Sequence, residues 1–335
     1  MIGKWQSSIF CGALALFLCL SPSGAQANLD SCEELSLGDY AEEGCIIPLQ
    51  DVHLTQYAVG KIAVTCKISK VDKKIKDTRA SKSQKNTVKA LNKYLEAENR
   101  HLPLVRGPDV DGKRNFYTTD HHHLGTAVRN SKVFKGLSPK NQKKVVFVAT
   151  VGTDYSYYKK WNDFWKKMIS KKKAWNYDNH GKKISDGRFN NKYGPFPKDF
   201  AEMYSNPDHN DKYRSLSRWV RESCLYLKAG KDQCDKIVDD FGIAPQAADF
   251  MEFVWADYLR KEFPWSEEPS GSDFKVLKGI YDKSTAPMRS PEAVKWLTTG
   301  QNYDPIAYGY HANGQHLKLD FDGSCEDPTK QIITK

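Results

Sequence analysis

The hydrophobic positions along this chain predict strands at its centre. Two short apolar runs, at 103–105 and 116–119, flank a turn rich in Gly, Pro and Asp, which is the pattern of strand, turn and strand. A continuous apolar run at 144–151 predicts an interior strand of a small mixed sheet. The sequence therefore predicts an α/β (α+β) fold around these strands.

Helical spacing surrounds this region and dominates the chain after Thr153. Val88, Leu91 and Leu95 share one face of a predicted helix over 87–99. Further helices are predicted at 158–170, 213–229, 245–263, 274–281 and 291–299. A long polar loop at 176–210, which contains His180 and His209, separates two of them, and loops of that length are often functional or disordered. We expect a mostly α-helical second domain.

Two lysine-rich clusters carry much of the net charge of +10. The first, residues 67–89, is interpreted as a mobile or solvated segment. In the second, residues 159–173, an apolar set at i, i+3, i+4 and i+7 predicts one buried helix face with lysines on the other: Trp161, Phe164, Trp165 and Met168. A basic surface of this kind leaves nucleic acid or another polyanion open as a partner.

The first 27 residues have the three parts of a signal peptide. Lys4 precedes an apolar run at 9–20, and the segment ends in Ala25-Gln26-Ala27, a typical cleavage pattern. The apolar run is too short for the roughly 20 residues of a membrane span. We expect cleavage near Ala27 and a soluble, secreted or periplasmic protein without a membrane span in its mature chain.

Cysteine usage agrees with export. Of the eight cysteines, two lie in the predicted signal peptide and six follow it. An even number in an exported chain indicates disulfides, and loop closure favours near neighbours. The pairs that we expect, the last of them by elimination, are Cys32 with Cys45, Cys224 with Cys234, and Cys66 with Cys325.

The candidate chemistry lies in four consecutive residues, Asp120, His121, His122 and His123, between a predicted strand and a predicted helix. The N-terminus of a helix attracts anions, so imidazoles there can help to bind phosphate; alternatively, His122 and His123 ligate a divalent metal ion. Consecutive helical residues are about 100° apart, so at most two of the three histidines share a pocket. A solvated helix start and an adventitious metal site are the structural alternatives.

Ordered motifs then indicate a family. Thr-Gln-x-x-x-Gly at 55–60, Pro-x-Val at 103–105, Gly-Pro-Asp at 107–109, Asp-His-His-His-Leu at 120–124 and two blocks at 213–221 and 250–260 resemble the ParB-like nuclease family, a branch of the ParB/sulfiredoxin superfamily. The resemblance covers about residues 46–300. It implies a ParB/sulfiredoxin-like domain at 46–155 and a helical domain at 156–300. A disulfide-bearing segment at 28–45 precedes them, and a tail at 301–335 follows.

Within this superfamily the turn at 120–124 is most similar to the Asp-Gly-His-His-Arg turn of its serine kinases. Asp120, His122 and His123 match, whereas His121 replaces the Gly and Leu124 replaces the Arg that would clamp a phosphate. Sulfiredoxins have a reactive Cys in this turn, which this chain lacks. A kinase is disfavoured by the scarcity of ATP outside the cytoplasm.

Other polar residues are candidates for the same pocket. Arg214 and Arg221 lie seven residues apart on one predicted helix face and could supply the missing phosphate clamp; surface salt bridges are the alternative. Glu252 is a candidate for catalysis or for an ion pair with an arginine such as Arg260. Thr55 and Gln56 are expected to border the pocket.

Together these features predict an exported, nuclease-like hydrolase for phosphodiester or phosphoryl chemistry. His122 or His123 would serve as general base or as a ligand of a divalent metal, and Asp120 would orient the imidazole. The alternative is a non-catalytic protein that binds a nucleotide, nucleic acid or another anion.

Overall fold

The computed structural model describes residues 29–34, 44–78, 83–110, 112–222, 251–262, 318–319 and 332–333. Its strands are β1 Cys45–Pro48, β2 Val52–His53, β3 Leu102–Val110, β4 Lys113–Thr118, β5 Val146–Asp154, β6 Lys318–Leu319 and β7 Ile332–Ile333. Its helices are α1 Lys61–Asp77, α2 Gln84–Leu95, α3 His122–Asn130, α4 Lys132–Lys135, α5 Pro139–Gln142, α6 Trp161–Ser170, α7 Phe200–Ser205, α8 Lys212–Glu222 and α9 Met251–Glu262.

A five-stranded mixed sheet in the order β1-β5-β3-β4-β2 is the centre of the fold. Strands β3 and β4 are antiparallel neighbours, as their strand, turn and strand pattern predicts. Strand β5 lies between β1 and β3 and runs parallel to β3, so the predicted interior strand is confirmed. The fold is the mixed α+β class that the sequence predicts. Strands β6 and β7 form a separate antiparallel pair.

The two faces of the sheet bury different cores because side chains alternate along each strand. Leu104 and Phe116 belong to a core shared with α1, α2 and α3. Val105 and Tyr117, their neighbours in sequence, belong to an aromatic core with α6. As predicted, Phe164, Trp165 and Met168 are fully buried there, while Trp161 is only partly buried.

The structure of the first lysine-rich cluster differs from the expected solvated segment. Residues 61–77 form α1, a helix of 17 residues, rather than a solvated segment. Val64, Val71 and Ile75 are buried at helical spacing, while Lys73, Lys74 and Lys76 are exposed. The next helix begins at Gln84, where the Ser83 hydroxyl accepts a hydrogen bond of 3.2 Å from Asn86 N–H. Helix α2 therefore lies about three residues earlier than the pattern at 87–99 suggests.

The long loop expected at 176–210 also contains a helix, α7. Asp199 caps this helix by accepting hydrogen bonds from the N–H groups of Ala201 and Glu202. Phe200 packs so closely against α3 that a Cβ on Gly125 would lie 2.3 Å from its ring. The segment is thus part of the packed structure beside α3.

Parts of the other predictions lie outside the described residues. The helices expected at 213–229 and 245–263 are described over Lys212–Glu222 and Met251–Glu262. The helices at 274–281 and 291–299 and the signal peptide at 1–27 are not among the described residues. None of the helices in the described ranges is long and apolar enough to cross a membrane.

Candidate functional site

The Thr-Gln-x-x-x-Gly segment, residues 55–60, lies against the start of α3. Thr55 donates its N–H to His122 Nε2 at 3.2 Å and its hydroxyl to the carbonyl of Thr118 at 2.7 Å. Gly60 donates its N–H to His123 Nε2 at 3.2 Å. Two distant motifs of the resemblance, residues 55–60 and 120–124, therefore form one unit.

Gly60 is needed for this arrangement because α8 approaches it closely. A Cβ on Gly60 would lie 2.4 Å from Ser215 Oγ and 2.6 Å from the Ser215 backbone nitrogen. Ser215 is fully buried, and its hydroxyl accepts a hydrogen bond of 3.4 Å from Ala63 N–H. The glycine of the motif thus allows the N-termini of α1 and α8 to meet.

The turn before α3 has an unusual backbone at His121. Its φ is 63°, in the left-handed region where glycine is the favoured residue. Gly, which the Asp-Gly-His-His-Arg pattern has in place of His121, adopts such a φ without steric cost. Asp120 supports the turn by accepting a hydrogen bond of 2.6 Å from His121 N–H. Asp120 is exposed and His121 is partly exposed.

His122 and His123 are neutral hydrogen-bond acceptors. The pKa of His122 is lowered to about 3, chiefly by burial; Asp120 opposes this shift, whereas Arg214 and His121 add to it. Burial also holds the pKa of His123 well below its usual value, with Arg214, Arg218 and Lys67 adding to the effect. Because each Nε2 accepts a backbone N–H, the proton of each neutral ring is on Nδ1. In His122 this Nδ1–H is buried and has no acceptor among the described residues.

Arg214 is a buried cation beside these histidines, with only 3% of its surface exposed. Its guanidinium donates to Gln56 Oε1 at 2.9 Å and to the carbonyl of Ala58 at 3.1 Å. It lies 3.6 Å from a carboxylate oxygen of Glu252 and 3.5 Å from the ring centre of Phe253. Arg214 therefore joins the 55–60 segment to helices α8 and α9.

A second ion-pair group holds α8 and α9 together. Asp211 caps the start of α8 through the N–H of Tyr213 and also accepts a hydrogen bond of 2.8 Å from Arg260. Arg260 pairs with Asp257 one turn earlier on α9. Burial raises the pKa of Asp257 to about 6, although Arg260 opposes this shift. Of these two carboxylates on α9, Asp257 pairs with Arg260 and Glu252 pairs with Arg214.

The structure brings most of the predicted site residues together. The shared neighbourhood contains Thr55, Gln56, His122, His123, Arg214 and Glu252. The side chain of Arg221 lies outside the described residues, so its role as a phosphate clamp stays a prediction.

Sequence reasoning missed Asp211, Trp175 and Ser215. Asp211 had a readable signal, since an Asp before a helical pattern favours an N-cap. Trp175 donates its N–H to the carbonyl of Thr55 at 2.9 Å, and its ring stacks near Phe253 at 4.5 Å. Trp175 follows three consecutive lysines, residues 171–173, by two positions. No local pattern predicts the contact between Trp175 and Thr55.

The metal predicted at His122 and His123 does not fit this geometry. A metal bond needs a free imidazole lone pair, and the lone pair on each Nε2 accepts a backbone N–H. Within the described part of the chain no group of three or more His, Cys, Asp or Glu residues is arranged to hold a metal ion.

The expected disulfide between Cys32 and Cys45 is present. It agrees with an oxidising compartment. The partners expected for the other pairs, Cys224, Cys234 and Cys325, lie outside the described residues, and those pairings stay predictions.

The mixed sheet, the helices packed on it and the contact between residues 55–60 and α3 together define an α+β protein with a candidate site at the start of α3. The family described as "Putative ParB-like nuclease" matches residues 45–261, and this chain belongs to that family. None of the curated proteins compared with it matches. Among solved structures, protein Atu1540 from Agrobacterium tumefaciens is similar at 21% identity over 75% of this chain and 94% of that chain, with a TM-score of 0.46.

Proposed function

We propose that residues 120–123 form the phosphodiester site of a nuclease-like protein that acts on nucleic acid. The observation that supports this proposal most directly is the division of the four residues into two pairs. His122 and His123 are anchors whose lone pairs bind the 55–60 segment. Asp120 is exposed and His121 is partly exposed; His123 is also partly exposed, but its Nε2 accepts the Gly60 N–H. The accessible pair is the one that can reach a substrate.

Phosphate binding at this position has a physical basis. Helix α3 has nine residues, and the side chain of its N-cap residue, His121, makes no capping hydrogen bond. Its first N–H groups and its dipole favour an anion. A phosphate held there would lie beside Asp120 and His121.

We assign the chemistry to these two side chains. His121 would take a proton from the water that attacks the phosphorus, as a general base does. As the new P–O bond forms, the P–O bond to the leaving sugar oxygen would break, and solvent water would protonate that oxygen. Asp120, whose carboxylate already holds His121 N–H, would keep the turn in position. We derive no step through a metal ion, since His122 and His123 do not fit one.

Sequence-independent affinity is assigned to Lys171, Lys172 and Lys173. Lys171 and Lys172 are exposed, and Lys173 is partly exposed. The hydrogen bond from Trp175, two residues after this run, to Thr55 supports the assignment. Lysines that neutralise phosphates release counterions, so binding should weaken steeply as salt rises from about 50 to 200 mM.

The first experiment measures cleavage of labelled single-stranded and duplex DNA and RNA, with chelator and with added Mg²⁺ or Mn²⁺. His121→Gln should lower cleavage at least about 100-fold, the usual contribution of general acid–base catalysis. Asp120→Asn should lower it less, because the amide oxygen can still accept the hydrogen bond from His121 N–H. Both variants should keep the wild-type unfolding transition. Wild-type protein that cleaves none of these substrates in any condition overturns the catalytic proposal.

A second experiment tests the lysine run by filter binding over a salt series. Replacing Lys171, Lys172 and Lys173 with Gln should flatten the salt dependence. The matched control replaces Lys73, Lys74 and Lys76 on the exposed face of α1, which removes the same charge. Equal slopes for the two triple variants would contradict the assignment.

A non-catalytic binding protein for nucleotide, nucleic acid or another anion is the second candidate. It is favoured by the neutral, hydrogen-bonded state of His122 and His123, which suits a rigid binding turn. Binding that depends on residues 120–123 without cleavage of any tested substrate would support it.

Export is part of the proposal. The Cys32–Cys45 disulfide supports it, because disulfides persist in oxidising compartments. Intact-mass measurement of the exported protein should give a chain that begins near Asn28. A chain retained in the cytoplasm with Met1 in place would contradict it.

A further inference from the structure

A cluster of three tyrosines follows β5, on a surface that the proposed site does not use. Tyr155 is buried in the aromatic core, where its N–H also donates to the Arg106 carbonyl at 2.7 Å. Tyr158 is partly buried and packs against the same core. Tyr157, between them, is 60% exposed. Within the described ranges it is the only large hydrophobic side chain that is exposed.

The rings form a short stack that ends in solvent. Tyr157 and Tyr158 have ring centres 4.6 Å apart and planes inclined by 32°. The ring of Tyr155 meets Tyr157 edge-on at 6.2 Å. The buried neighbours hold Tyr157 in place, so its ring is a preformed surface for another flat group. A single exposed aromatic is ordinary on a protein surface, but one supported by two others is a platform.

The platform is surrounded by positive charge. Lys159 and Lys160 follow it directly and are exposed, and Lys166 is exposed on α6. The Lys167 ammonium lies close enough to the Tyr157 hydroxyl to lower its pKa, although the hydrogen bond to Tyr158 has the larger, opposite effect. Of the nearby carboxylates, Asp154 pairs with Arg106. Asp163 is the one acidic residue between 159 and 173.

We propose that Tyr157 and Tyr158 stack on the bases of single-stranded nucleic acid while Lys159, Lys160 and Lys167 contact its phosphates. The bases of a duplex are stacked on one another, whereas a single strand exposes flat bases and regularly spaced phosphates. On this surface the tyrosines suit the bases and the lysines suit the phosphates. The choice of nucleic acid rests on the proposed function, while the binding surface is separate from residues 120–123.

The fold also connects the two surfaces. Helix α6 starts beside the tyrosines and spans 10 residues, which is about 15 Å. Lys171, Lys172 and Lys173 follow it, and Trp175 then bonds to Thr55 at the candidate site. A strand held at Tyr157 can therefore follow the lysine face of α6 toward residues 120–123.

The test is fluorescence anisotropy with a labelled 15-nucleotide oligothymidylate and with a duplex of the same length, on the full mature protein. Tyr157→Ala should weaken single-strand binding at least about fivefold, as the loss of one base–aromatic stack does. Tyr157→Phe keeps the ring and should bind within about twofold of wild type. Duplex affinity should change little in either variant. The control variant Lys140→Gln, on the exposed surface of α5, should leave both affinities unchanged.

The outcomes separate this inference from the proposed function. Wild-type protein that binds no nucleic acid overturns both. Single-strand binding that is insensitive to Tyr157→Ala overturns the stacking platform alone. Tyr157-dependent binding to phosphatidylglycerol vesicles without oligothymidylate binding would assign the platform to anionic lipid and overturn the inference.

Discussion

Arg214 donates a hydrogen bond of 2.9 Å from its buried guanidinium to Gln56, which lies 158 residues earlier in the chain. The contact joins Arg214 to the candidate site, because Gln56 belongs to the segment that also binds His122 and His123. Glu252 from α9 lies on the same guanidinium. Arg214, on α8, therefore links the 55–60 segment, through it the histidine turn at 120–123, and helix α9.

We expect Gln56 and Arg214 to be energetically coupled. Gln56→Ala leaves a buried guanidinium donor unsatisfied and should cost about 1 to 3 kcal/mol of unfolding free energy. A double-mutant cycle with Arg214→Met should give a coupling energy of about 0.5 to 3 kcal/mol in urea denaturation. Gln50→Ala is the matched control, because Gln50 is exposed. Additive effects of the two site variants would show that the hydrogen bond does not stabilise the fold.

The lowered pKa of His122 leads us to expect that the folded protein loses stability in mild acid. Its pKa is about 3 in the folded protein and about 6.5 when unfolded. Above pH 6.5 the ring is neutral in both states and the stability is complete. As pH falls below 6.5, only the unfolded state takes up the proton, so stability decreases down to about pH 3. Between pH 7.5 and 5 this residue alone should cost about 2 kcal/mol.

The pH effect is tested by urea denaturation of wild type and His122→Gln at both pH values. The variant should lose about 2 kcal/mol less than wild type between pH 7.5 and 5, because its amide does not titrate. His180→Gln, at an exposed position, should behave like wild type. An unchanged pH dependence in His122→Gln would mean that His122 is not held neutral by burial.

Two substitutions test the backbone of His121. Its φ of 63° favours glycine, and an L-residue there costs about 1 to 2 kcal/mol. His121→Gly should therefore be more stable than His121→Ala by about 1 kcal/mol in chemical denaturation. Both variants should lose the cleavage activity that we assign to the imidazole. Equal stability of the Gly and Ala variants would show that the turn relaxes out of the left-handed region.

Alanine substitutions at Gly60 and Gly187 test the close approach of α8 to Gly60, with Gly187 as the control. A Cβ on Gly60 would lie 2.6 Å from the Ser215 backbone nitrogen, which cannot move aside without shifting the helix. Gly60→Ala should cost about 1 to 3 kcal/mol or more. Gly187 has nothing within 4 Å of its Cβ position, and Gly187→Ala should change stability by less than about 1 kcal/mol. Thermal melts of the two variants compare them directly, and similar melting temperatures would contradict the packing argument.

The sequence by itself determined the elements that depend on local patterns. The two strands around the turn, the interior strand β5, helix α3 and the buried face of α6 lie where the periodicity predicts them. The family follows from motifs in the right order, and residues 45–261 match it. The spacing of Val64, Val71 and Ile75 would also have predicted α1, but the many lysines around them obscured it. Periodicity carries this information because a helix or strand repeats within a few residues.

Only the tertiary structure decided what the histidines do. The sequence marks all four residues at 120–123 as candidates, but their separation into two anchors and two accessible side chains depends on donors from Thr55 and Gly60, 67 and 63 positions earlier. The protonation state of His122 likewise follows from burial by elements distant in the chain. Hydrogen bonding and desolvation act through space, so a side chain's chemistry is set by neighbours that its own stretch of sequence does not contain.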